Sequence, residues 1–303
     1  MKKQSILLTT LLGAFVLGVF YFSGRQVVYA QKSGPSAKPL ISKTASSTRS
    51  KAGNLSAFSA AAAANEASRM TLAWPFGGKV QRGWEIYVPL ISNAIGTDEE
   101  AGSLEFAAAL AKWQGEKGLL ANGLMDEATM KAFVSHWQSQ RLGRSTSPSA
   151  DALMSAPIVD FWDAGRDPNM LQLERMTYVA YKRMLAEAAR DLGRELKFTR
   201  DGELAPGEKF LRIVSAYRSP EYQAALRKRE PNAGRAALAK NSPHFTGQAL
   251  DIYVGGEPVT TKDANRLIQV QTPAYKWLVK NASRFGFYPY FYEPWHWEFV
   301  PGR

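Results

Sequence analysis

The chain has 303 residues, 38 basic and 27 acidic, for a formal charge of +11, and its hydrophobic fraction of 45% is that of a protein able to bury cores. It contains no cysteine, which excludes disulfides, thiolate metal ligands, a cysteine nucleophile and a lipidated N-terminal cysteine. The excess of positive charge suggests an anionic partner without choosing one, and no nucleic-acid-binding motif accompanies it.

Residues 1–31 begin with Lys2 and Lys3 and continue as an apolar run from Ile6 to Phe22. Val28 and Ala30 place small residues at −3 and −1 of a cut after Ala30. The run is also just long enough for a bilayer, which needs roughly 17–25 residues. A cleaved signal peptide and an uncleaved anchor over residues 6–22 both remain open. Either puts the rest of the chain outside the cytoplasmic membrane, in the periplasm or cell envelope.

Residues 32–70 are rich in Ser, Ala, Lys and Gly and poor in large apolar side chains. Such a stretch buries too little surface to offset its ordering entropy, so a flexible basic tether is expected, with a short helix in its Ala-rich piece. Order is expected from TLAWPFGGKV onward, and residues 71–140 form a small helical domain. Phe106, Leu110 and Trp113 recur at spacings of four and three, one helical face. Gly118 and Gly123 mark a loop, and Asp126 caps a second helix carrying Met130, Phe133, Val134 and Trp137.

Residues 141–157 read as a second linker by composition, and residues 158–303 as a second globular domain. Met176, Val179, Ala180 and Met184 predict a helix face closed by Gly193. KFLRIVSAY and ALDIYV read as strands. Ser219-Pro220 and Thr272-Pro273 each open a helix, the second ending near Gly286. FYPYFYEPWHWEFV supplies two final strands with a bend at Glu293-Pro294. The fold class is therefore α+β, a small antiparallel sheet flanked by helices and preceded by a small helical domain.

Two of the chain's three histidines stand in unusual company. His244 lies in NSPHFTGQALDIYV, seven residues before Asp251, and His296 lies in YFYEPWHWEFV. Two imidazoles and one carboxylate make the ligand set of a catalytic zinc site. Glu293, three residues before His296, is placed to act as general base and then general acid. Glu298, two residues after it, shares its strand face and can orient a histidine, whereas Trp295 and Trp297 face the core. Arg218, between a strand and a helix, can pair with a carboxylate or stabilise an oxyanion. Ser242 either contacts substrate or shapes the turn before His244.

Two resemblances sharpen this reading. FAAALAKWQGEKGLLANGLMDEATMKAF resembles a small helical peptidoglycan-binding domain, through Trp113-Gln114, Gly118-Leu119, Gly123, Asp126 and Thr129. SPHFTGQALD fits SxHxxGxAxD and EPWH fits ExWH, which, with SAYRSPEYQ, resemble the VanY/VanX-type zinc D-alanyl-D-alanine peptidases, relatives of the hedgehog domain. That resemblance implies zinc ligands His244, Asp251 and His296, a catalytic base Glu293, and an Arg218 that binds the substrate carbonyl or carboxylate. The expected activity is an exported carboxypeptidase removing terminal D-Ala from peptidoglycan stem peptides, with glycan as a second partner. An endopeptidase on the same core and a non-catalytic wall-binding protein with a structural zinc are the alternatives. The segment RKREPNAGRAALAKN before His244 is long enough to shape the cleft.

Overall fold

The structure, a computed structural model, describes residues 55–143, 147–229 and 242–302. All of these belong to one compact unit, Ser46–Arg303. The apolar run 6–22, the cut after Ala30 and residues 230–241 of the segment before His244 lie outside the described residues. Among the described residues no helix is long and apolar enough to cross a membrane.

Regular structure starts earlier than the TLAWPFGGKV stretch. The Ala-rich piece forms helix α1, Ser59–Ser68, with Ala62 and Asn65 buried. Asn65 fastens it: its Nδ2 donates to Gly123 O at 2.8 Å and its Oδ1 accepts from Met125 N at 2.7 Å. An antiparallel hairpin follows, β1 (Ala73–Phe76) with β2 (Lys79–Arg82), and then α2, Val88–Ile95.

The expected helical pair is α3, Leu104–Glu116, and α4, Glu127–Gln138. Asp126 caps α4, accepting from Thr129 N at 2.7 Å. Phe106, Leu110, Trp113, Met130, Phe133 and Trp137 are buried, and Trp113 stacks on Phe133 with centroids 3.8 Å apart. Gln114 locks the loop between the helices. Its Nε2 donates to Leu124 O and Thr129 Oγ1, each at 2.9 Å, and its Oε1 accepts from Gly123 N at 2.8 Å. Gly123 has φ +72°, and a Cβ there would lie 2.4 Å from Ala107 O, so no other residue fits. The residues that carry the first resemblance are thus internal fasteners of this hairpin.

The stretch 141–157 is not wholly a tether. Within it β3, Leu153–Ser155, pairs antiparallel with β4, Gln172–Glu174. Composition hid this because only Leu153 and Met154 mark the strand. Helix α5, Arg175–Leu192, then begins at Glu174, whose carboxylate accepts from the N–H groups of Met176 and Thr177. Its buried face differs from the one expected. Ala180 and Met184 are buried, but Met176 and Val179 are 57% and 44% exposed. The stripe that packs runs through Thr177, Tyr181, Leu185, Ala188 and Leu192. Tyr181 is drawn inward because its hydroxyl donates to Leu211 O at 3.0 Å.

The main sheet has the order β5-β6-β8-β7, with β5 Ile213–Ser215, β6 Ala249–Ile252, β8 His296–Phe299 and β7 Phe287–Pro289. Every neighbouring pair is antiparallel. Helices α6 (Pro220–Arg229), α7 (Asp263–Gln271) and α8 (Pro273–Asn281) flank it. Ser219 and Thr272 cap α6 and α8 through their hydroxyls, as the Ser-Pro and Thr-Pro pairs predict. A single 3-10 turn carries the chain from α8 to Gly286 at φ +84°. The α+β class with a small antiparallel sheet therefore holds.

The two parts of this unit share a core. Phe291, in the loop before β8, packs on Phe76, Trp137, Tyr87 and Trp74 with centroids 4.8, 5.6, 5.7 and 6.5 Å away. Beside it, buried Arg266 donates to Tyr87 Oη at 2.6 Å and lies 4.3 Å from the Tyr292 ring.

Candidate active site

Three ligand-bearing side chains converge on the sheet. His244 sits in a 3-10 turn, Pro243–Thr246, entered at Ser242 and left at Gly247 with φ +68°. Ser242 is buried, and its Oγ accepts from His244 N at 3.3 Å, so its visible contact shapes the turn. A Cβ at Gly247 would lie 2.7 Å from Glu174 N, which explains the glycine. Asp251 lies on β6 directly opposite His296 on β8. Ser215 of β5 pairs with Asp251 from the other side.

The ring nitrogens decide what this cluster can hold. His244 Nδ1 lies 2.7 Å from Ala216 O, so it carries the proton, and Nε2 turns a lone pair towards Asp251 Oδ1 at 3.2 Å. His296 faces a carboxylate on each side, Nε2 at 3.2 Å from Glu298 Oε1 and Nδ1 at 3.0 Å from the same Asp251 oxygen, and with its proton on Nε2 it turns the Nδ1 lone pair to Asp251. In that tautomer three acceptor atoms meet with no proton between them, an arrangement that a shared cation relieves in a buried site. All three ligand atoms lie within 4.8 Å of one another, and all three residues are buried. A tetrahedral zinc with bonds of about 2.0–2.2 Å has ligand edges of roughly 3.3–3.6 Å, close to the 3.2 and 3.0 Å that separate the two ring nitrogens from Asp251 Oδ1.

The surrounding charges act on the two rings in opposite senses. Burial lowers the pKa of His244 to about 4, aided by Arg218, and keeps its imidazole neutral. Burial opposes ionisation of Asp251 and Glu298, but their partners win. His244, His296 and Arg218 hold Asp251 well below the usual range, and His296 with Arg141 brings Glu298 to about 2. Burial also works against the His296 cation, yet hydrogen bonds to Asp251 and Glu298 raise it to about 9. Two negative neighbours thus crowd this ring, the positive charge being the role an ion fills.

Glu293 stands apart from the three. It is buried, and its Oε1 has no hydrogen-bond partner among the described residues. A tight turn places it, Glu293 N donating to Tyr290 O at 3.0 Å and His296 N to Glu293 O at 2.9 Å. Burial raises its pKa to about 7. Arg218 donates from Nη2 to Asp251 Oδ2 at 2.7 Å and from Nε to Ser215 Oγ at 3.0 Å. Trp295 and Trp297 are buried in the core, as their strand positions predict.

One group at the site was not foreseen. Arg141, in the stretch composition assigns to a linker, donates from Nε to Glu298 Oε1 at 2.9 Å. The next residue, Leu142, donates its N–H to Glu298 Oε2, also at 2.9 Å. Nothing in the sequence around residue 141 signals a partner 157 positions away.

The antiparallel sheet of this α+β domain thus gathers two histidines and a carboxylate into a group that could hold a metal ion. Residues 171–302 match the VanY family model, D-alanyl-D-alanine carboxypeptidase. The matched segment contains Arg218, Ser242, His244, Asp251, Glu293, His296 and Glu298, but not Arg141. No match was found among curated proteins.

Proposed function

We propose that the chain is an exported zinc peptidase that trims peptidoglycan stem peptides, acting first as a D-alanyl-D-alanine carboxypeptidase. The observation that carries this reading is the meeting of His244 Nε2, Asp251 Oδ1 and His296 Nδ1, with the outer ring nitrogens tied to Ala216 O and Glu298. Those three atoms would hold the ion. A bound zinc would supply Lewis acidity to the scissile carbonyl and lower the pKa of the attacking water to about 7.

The chain's own groups do the rest. Glu293, with an oxygen free of other partners, takes the proton of the attacking water and returns it to the leaving amine. Arg218 is held on Asp251 and Ser215 by Nη2 and Nε, and would use its remaining guanidinium donors to bind the oxygen of the substrate carbonyl or terminal carboxylate. Ser242 holds the turn of His244. The helical segment 71–140 would bind glycan, and residues 6–22 would serve as signal or anchor.

The test is direct. Purified protein is assayed for metal, then incubated with a stem pentapeptide and read by mass spectrometry. One equivalent of zinc and loss of a single alanine, both abolished by a chelator, are expected. Two larger fragments would instead identify an endopeptidase on the same core, and an intact peptide with bound zinc would identify a non-catalytic wall protein.

A further inference from the structure

The chain of contacts that orients His296 does not end at Glu298. Glu298 is fully buried, and a buried carboxylate is tolerated only when its oxygens are satisfied. Its Oε1 accepts from His296 Nε2 at 3.2 Å, and from Arg141 Nε and Nη2 at 2.9 and 2.5 Å. Its Oε2 accepts from the Leu142 backbone. Apart from His296, the donors to this carboxylate among the described residues come from the stretch just after α4 rather than from the sheet.

Arg141 is itself held firmly. Its Nη1 donates to Gln138 Oε1 at 3.0 Å, on the last residue of α4. Its guanidinium lies 4.0 Å from the centre of the Tyr290 ring, a distance at which a cation is attracted to the ring face. Tyr290 in turn meets His296 twice. Its N–H donates to His296 O at 3.0 Å, and its ring stands edge-on to the imidazole with centroids 6.0 Å apart. Arg141 therefore borders the His296 ring along two routes, one through a carboxylate and one through an aromatic face.

We propose that Arg141 is a positioning residue for His296, so that the helical segment completes a metal site to which it contributes no ligand. This rests on the reading that His244, Asp251 and His296 hold a divalent cation. Without Arg141, Glu298 keeps a buried charge with too few donors, and the group that sets the His296 tautomer and ring plane is no longer fixed. Outer partners of this kind change metal affinity by about 10–100-fold. Lysine cannot replace the arginine fully, because it has no planar fork to span the carboxylate and no flat face to lie on Tyr290.

The experiment uses the full chain with Arg141→Ala and Arg141→Lys, and Lys280→Ala as control, since the Lys280–Asp98 pair also joins the helical segment to the sheet domain. Zinc affinity is measured by competition with a chromophoric chelator, and the cobalt(II)-loaded proteins are compared by visible absorption. Arg141→Ala is expected to bind zinc on the order of 10–100-fold more weakly and to shift the cobalt bands, with Arg141→Lys between it and wild type. Lys280→Ala should match wild type in both. A folded Arg141→Ala protein with wild-type zinc affinity and an unchanged cobalt spectrum overturns the proposal. If Arg141→Ala does not fold, Arg141→Lys decides on the same two readouts. A wild-type protein that takes up neither metal overturns the metal-centre reading itself.

Discussion

The two histidines are oriented in opposite ways. His244 gives its outer proton to a backbone carbonyl, Ala216 O, from the strand end beside it. His296 gives its outer proton to a side chain, Glu298, which is then secured by Arg141 and Leu142 from beyond α4. A main-chain acceptor comes with the fold and survives any side-chain substitution. A side-chain acceptor must itself be held, and here the holding crosses from one part of the unit to the other. One ring is therefore fixed by the sheet domain alone, and the other depends on how the helical segment docks.

Substitutions can break this contrast. The largest effect is expected off both arms: Glu293→Gln should lower turnover by on the order of 10²–10⁴-fold while metal content, read by atomic absorption, stays at the wild-type level. Next, Glu298→Ala should weaken zinc binding about 10–100-fold in a chelator competition, because it removes the orienter of His296. Ala216→Gly is its counterpart on the other arm. It keeps the carbonyl, so zinc affinity should remain within about twofold, with a stability loss of roughly 0.5–1 kcal/mol from the added backbone freedom. Equal losses of affinity for these two variants would erase the distinction between the rings.

Docking can be probed separately from the metal. Phe291→Ala removes a fully buried ring shared by Phe76, Tyr87, Trp137 and Trp74, and should cost about 3–5 kcal/mol in denaturant unfolding. The smallest effect is expected at the surface. The Lys280–Asp98 pair is exposed on both sides, so Lys280→Ala should change stability by less than about 1 kcal/mol on the same measurement.

The candidate site was legible in the sequence because its chemistry needs rare residues in fixed order. His244, Asp251, Glu293 and His296 sit in motifs that few other purposes explain, and the structure brings the three ligand candidates together. The helix caps at Asp126, Ser219 and Thr272 were legible for a similar reason, a local contact within a few residues. Arg141 was not, since its partner is set by tertiary packing and its neighbours have the composition of a tether. The face of α5 was misread because periodicity fixes spacing, not which stripe meets the core. Met176 and Val179 are apolar enough to suggest burial, yet Thr177 and Tyr181 go inside because Glu174 and Leu211 O accept their hydroxyls. Strand β3 escaped notice because it is three residues long.

The direct pairing of Asp251 with His296 across β6 and β8 has a further consequence for how the chain reaches its final form. A slip of one residue between these strands would turn one of the two side chains to the opposite face. A slip of two would part them by about 7 Å along the strand. Any ion gripped by both therefore binds the correctly aligned sheet alone, and its whole binding energy would count against misaligned pairings. The same contact that prepares the site for chemistry would then act as a proofreader of strand alignment.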